Sequence, residues 1–243
     1  MIKEALEYLF SLKEPEFVKV EDRPYAVKYL TPIHKPMPKT IEVHTLSALV
    51  DYTIKDVDGI RDPLLLDDVV LHILSSLQVF LYSTITPPFK QRPCYLHATT
   101  PGCHFRFGTF MEVEPFIIGV QSQFIQDENT ALIYKSAGNI KDSVVKTVQD
   151  DGVAQQITVA TGAARVAEVQ LPSPIELRPY RTFPEVTQPS SKFIFRMRSG
   201  QGGGPPTCAL FEADGGIWEM EAIQTIKEWF EHELDGENIV ILA

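Results

Sequence analysis

Cysteine is scarce: the 243 residues hold three, Cys94, Cys103 and Cys208. An odd, small number makes a poor disulfide framework and fits a reducing compartment. Positive charge is also short, with 22 basic against 32 acidic residues and a formal net charge of −10. Binding a phosphate backbone requires a basic surface that releases counterions, so no nucleic-acid partner is expected. The same acidity repels anionic lipid. Long apolar runs are missing as well. The longest, residues 63–85, is broken by Asp67, Asp68, His72, Ser75, Ser76 and Gln78 and cannot span a bilayer as a helix. Glu4 and Glu7 stand where a signal peptide would carry its apolar core, so the expected location is the cytoplasm, with no membrane association. Nucleophile and metalloprotease motifs (G-x-S-x-G, H-E-x-x-H) are lacking too. The glycine run 202–204 lacks the Lys-Ser/Thr ending of a phosphate loop and reads as a hairpin tip.

What is present is ordinary globular material: 44% hydrophobic and 22% charged residues, in a chain long enough to bury a core without covalent staples. The expected organisation is a single domain, 1–243, with a helical and irregular N-terminal segment 1–60 packed on a β-rich core, 64–243.

Ile2, Ala5, Leu6, Leu9 and Leu12 recur at helical spacing, as do Leu46, Leu49, Val50 and Ile54 behind a Thr45 cap. Residues 64–77 fit a helix or a strand. Val69–Leu74 alternates, and a β-branched, aromatic run follows from Val79 to Ile85, which favours two strands about a Ser75–Ser76 turn. Strand patterns then dominate: 94–98, 104–112, 115–125, 131–136, 153–160, 165–171, 174–183, 192–198 and 207–212. Phe116, Ile118, Val120 and Phe124 would share one strand face. Ala222, Ile223, Ile226, Trp229 and Phe230 form the stripe of an amphipathic helix over 217–234, with Asp214 as its cap. Residues 238–243 read as a last, apolar strand that must pair either within the chain's own sheet or across a subunit interface. The fold class that follows is α+β: a mostly antiparallel sheet (meander, sandwich or open barrel), short N-terminal helices, and one amphipathic helix near the C-terminus.

Two side-chain sets carry chemistry. Cys94, His97, Cys103 and His104 offer thiolates and imidazoles at short spacing, the donor set zinc selects. Strand geometry opposes this, because neighbouring residues 103 and 104 would face opposite ways. The alternative is two small core thiols and two surface or hydrogen-bonded histidines, with no cofactor. The second set, Arg178, Arg181, Arg196 and Arg198 beside Tyr180, would form an anion pocket if 174–183 and 192–198 pair as a hairpin. Its alternative is cross-strand pairing with Glu176, Glu185 or Glu212.

Thr45–Tyr52, the strand pair around Val69–Ile85, and Leu177–Phe183 together resemble an uncharacterised family of bacteriophage and prophage accessory proteins of about this length. The resemblance covers roughly half the chain. The cysteine/histidine segment and the C-terminal helix–strand unit depart from it. It implies a phage-linked setting in the bacterial cytoplasm and carries over no catalytic residue. Two functions are then in view. One is a non-enzymatic accessory protein that binds or self-assembles as a homo-oligomer, with a host protein, a phage protein or a small anionic ligand as partner. The other is a metal- or carboxylate-dependent enzyme acting on a phosphorylated or nucleotide substrate. The missing catalytic motifs lean against an enzyme.

Overall fold

The computed structural model describes residues 2–12, 17–21, 23–26, 31–32, 37–57, 69–85, 91–141, 144–150, 155–161, 165–170, 173–198 and 205–243. The fold is α+β, and most of its strand pairs are antiparallel. Two hydrophobic cores organise it, each a sheet covered by helices.

The first core lies against a five-stranded sheet. Its centre is the hairpin of β5 (Val69–Ser75) and β6 (Gln78–Ser83), which agrees with the two-strand reading of the described part of 64–85. Val69, Leu71 and Ile73 alternate into the core and meet Val79 and Leu81 from the neighbouring strand. Next to β6 comes β7 (Cys94–Thr99), then β4 (Ile41–Val43), which runs parallel to β7. On the far side β15 (Val240–Leu242) runs parallel to β5, so the apolar C-terminal strand pairs within its own chain. Helix α2 (Leu46–Ile54) buries Leu46, Leu49 and Val50 here, and α5 (Ile217–Glu233) buries Ile226 and Phe230. Thr45 precedes α2 but makes no side-chain cap. Instead the Glu185 carboxylate accepts the Leu46 N–H at 2.8 Å, from 139 residues away.

The second core lies against a four-stranded sheet of order β12 (Ile175–Leu177), β13 (Ser191–Arg198), β14 (Thr207–Glu212) and β8 (Met111–Glu112). Here the structure corrects the sequence reading. Residues 115–123 and 131–136 are not strands but lie in α3 (Val113–Gln123) and α4 (Glu128–Lys141), while Phe124 is extended beyond the end of α3. Phe116 and Val120 are fully buried while Ile118 is 56% exposed, the selection of a helix and not of an alternating strand. In α4, Thr130, Ile133 and Ala137 are buried and Leu132 is exposed. Residues 104–110 are irregular, and the 174–183 strand stops at Leu177. Asp214 is not the cap of α5. It accepts the Gly216 N–H at 3.2 Å, and Gly216, at φ 85°, is the cap.

Of the remaining elements, α1 (Ile2–Ser11) leaves Ile2, Leu6 and Leu9 exposed. Two further three-stranded antiparallel sheets are β1 (Phe17–Val20), β2 (Arg23–Ala26) and β3 (Thr31–Pro32), and β9 (Val144–Asp150), β10 (Gln155–Thr161) and β11 (Arg165–Gln170). Among the described residues no helix is long and apolar enough to cross a membrane. The glycine run 202–204 and residues 64–68 lie outside the described residues.

Candidate functional site

Residues 173–190 pass from one core to the other. Ile175 and Leu177 belong to the four-stranded side, Phe183 and Val186 to the five-stranded side. Two devices fix the path between them. The first is an isolated antiparallel bridge between Phe124 and Pro179. The Ile125 N–H donates to the Arg178 carbonyl at 2.8 Å, and the Tyr180 N–H donates to the Gln123 carbonyl at 2.9 Å. In this extended stretch Arg178 and Tyr180, two residues apart, leave on the same side. The second is Gln188, which is buried. Its Oε1 accepts the N–H groups of Arg181 (2.8 Å) and Thr182 (3.1 Å), and its Nε2 donates to the carbonyls of Thr182 and Phe183, both at 3.2 Å. One side chain thus satisfies four backbone groups of a segment that has no sheet partner.

The result is a cleft of about 430 Å³ lined by Thr100, Pro101, Ile125, Arg178, Tyr180, Thr182, Pro184, Val186, Thr187 and Gln188. That volume is in the range of small-molecule sites, and such sites favour junctions between packed units. Among the described residues no carboxylate lines it, and the charged one is Arg178, which uses a terminal nitrogen on Asp127 Oδ2 at 3.2 Å. Burial alone would raise the Asp127 carboxyl. The Thr130 N–H and the Arg178 guanidinium outweigh that and hold it below the usual range. Asp127 Oδ1 also accepts the Thr130 N–H at 3.0 Å in the first turn of α4, so the arginine is oriented by a helix cap. The Thr182 hydroxyl is buried without a hydrogen-bond partner, an unused donor and acceptor on a residue of the cleft wall.

The other three arginines do not join Arg178. Arg181 is buried. It lies 4.3 Å from the Trp218 ring centre and 4.7 Å from that of Phe107, donates to the Ser191 hydroxyl at 3.2 Å, and forms an ion pair with Glu212. Its charge is fully used inside the protein. Arg196 donates to the Ser173 hydroxyl at 3.3 Å and to the Phe195 carbonyl at 3.1 Å. Arg198 lies 3.8 Å over the Phe110 ring. The expected four-arginine pocket is therefore not formed. In the register Ile175↔Phe193 to Leu177↔Ser191, Arg178 and Arg181 follow the Leu177 end of β12, whereas Arg196 and Arg198 lie past its Ile175 end.

The cysteine/histidine set is likewise divided. His97, on β7, stacks on Phe80 at 4.2 Å, and its Nδ1 pairs with Glu42 at 2.8 Å. Cys94, on the same strand, directs its thiol to the Leu96 carbonyl. Cys103 and His104 instead meet the side chain of Gln123 at the end of α3. Among the described residues no group of three or more His, Cys, Asp or Glu side chains is arranged to hold a metal ion. Burial is the main cause that pushes the Cys94 and Cys103 thiols up, and it drives Cys208 to about 12. None of the three is an activated thiolate.

A second cleft, about 460 Å³, has the opposite electrostatics: Glu176, Asp214 and Glu221 outnumber Lys192 beside Trp218 and Ile217. The sequence pointed to Arg178 and Tyr180 but not to Thr182, Thr187 or Gln188. Nothing in Gln188 marks it, since its role depends on the backbone it meets. Comparison with models of protein families, with curated proteins and with solved structures gives no match for this chain. The class defined by fold and site is an α+β protein with a mainly apolar cleft, of single positive charge, between two cores.

Proposed function

We propose that this protein is a non-enzymatic accessory protein, phage-linked as the resemblance implies, that binds a small organic anion with an apolar body in the Arg178 cleft. The observation that carries this reading is the make-up of the lining. In a chain of net charge −10, the described residues that line this cleft include a guanidinium and no carboxylate. A guanidinium fork suits a carboxylate or phosphate. Pro101, Ile125, Pro184 and Val186 offer apolar surface to the rest of the ligand, and Tyr180 and Thr187 add hydroxyls to the lining. Among the described lining residues there is no cysteine, histidine or carboxylate to act as nucleophile or general base, which supports binding over turnover.

A thermal-shift panel of aromatic and aliphatic carboxylic acids, each matched with its primary amide, tests this. Acids should raise the melting temperature more than their amides, and Arg178→Gln should remove the difference. Arg198→Gln, on the far strand, should leave it intact. Equal shifts for acid and amide, or persistence of the acid shift in Arg178→Gln, would refute the assignment.

A further inference from the structure

Two of the four edge strands of the core sheets, β12 and β4, are protected. On β12, Asn129 from α4 donates its side-chain amide to the Glu176 carbonyl at 2.9 Å. On β4, Glu42 places an exposed carboxylate in the middle of the strand. Charge and side-chain cover are the usual protections against edge pairing. Among the described residues the β15 edge shows neither. Residues 238–243 read Asn-Ile-Val-Ile-Leu-Ala, with no charge and no proline. One side of β15 pairs with β5, and among the described residues no strand pairs with the other. Ile241 packs towards the core, while Val240 and Leu242 stay 37% and 46% exposed.

We infer that β15 is a self-association edge, paired antiparallel with β15 of a second copy about a two-fold axis through Ile241. Self-complementarity selects the occupant. Two copies of a chain of net charge −10 repel over most of their surface, so contact favours a stretch free of acids. A two-fold axis makes the interface isologous: Val240 faces Leu242 of the other copy, and Ile241 faces its own counterpart. The register joins two five-stranded sheets into one of ten strands. It also places Val240 and Leu242 of both copies on one face, where their apolar surface is covered.

Light-scattering mass across a dilution series tests this on the full chain, with thermal melts to check folding. Wild type should give twice the 27.3 kDa chain mass and dissociate on dilution. Val240→Glu with Leu242→Glu sets like charges against each other and should give the single-chain mass. Val240→Lys with Leu242→Glu sets each introduced lysine against an introduced glutamate in this register alone, and should restore the dimer. A monomeric wild type, a dimeric double-glutamate variant or a monomeric lysine/glutamate variant would each overturn the inference. The acid-dependent thermal shift at Arg178 should persist in all three proteins, because β15 does not line that cleft.

Discussion

The core under the four-stranded sheet is filled by rings, and the core under the five-stranded sheet mainly by branched aliphatics. Phe105, Phe116, Phe124, Phe193 and Phe195 meet edge-on or stacked, with centroid separations such as 5.2 Å for Phe105–Phe124 and 5.5 Å for Phe116–Phe195. The other core is built on Val69, Leu71, Ile73, Val79, Leu81 and Leu96. Rings also provide faces, and the ring-rich side is where a buried cation, Arg181, is held between Phe107 and Trp218. Few large residues can fill such a core from irregular chain, as Phe105 does. Aliphatic filling relies on regular alternation.

Truncation should separate the two cores. Phe195→Ala removes a fully buried ring and is expected to cost about 4 kcal/mol, against about 3 kcal/mol for Leu81→Ala, both read by urea denaturation. A Phe195→Ala cost no greater than that of Leu81→Ala would contradict this ranking. Arg181→Met should cost about 3 kcal/mol, because it leaves Glu212 and Ser191 without their partner. The figure sits at the low end because Glu212 keeps part of its hydration. A neutral outcome would show that packing on the rings, and not the charge, holds this residue in place.

The same contrast decides what was legible in the sequence. The β5–β6 hairpin, β13, β14, α2 and α5 follow from periodicity, because branched residues alternate there or recur at helical spacing. Helices α3 and α4 did not. Phe116-Ile117-Ile118 and Leu132-Ile133-Tyr134 are rich in strand-favouring types, and burial of Phe116 and Val120 against the sheet overrode that preference. At the site, Arg178 and Tyr180 were legible as chemistry. The separation of the four arginines was not, since it depends on the register in which β12 meets β13. Likewise, spacing could not reveal that Cys103 turns to Gln123 and away from Cys94.

Smaller effects sharpen the picture at the boundary between the cores. Gln188→Ala strands backbone groups of Arg181, Thr182 and Phe183. It should cost about 2 kcal/mol and abolish the acid-dependent thermal shift. Retention of that shift would mean the cleft wall does not need its clamp. The smallest effect is pH-dependent. Asp127 has a folded pKa below its ordinary one, so its contribution is present above the ordinary aspartate range and is lost as pH falls through the folded value. Denaturation at several acidic pH values should therefore show a gentler loss in Asp127→Asn than in wild type. Identical profiles would contradict the assigned shift.

Hydrogen exchange, measured with and without the carboxylic acid that gives the largest thermal shift, tests the ligand cleft most directly. Binding there predicts slowed exchange over 178–188 and around Ile125, with little change in β13 and β14. Protection confined to β13, the strand that carries Arg196 and Arg198, with none over 178–188, would contradict the account.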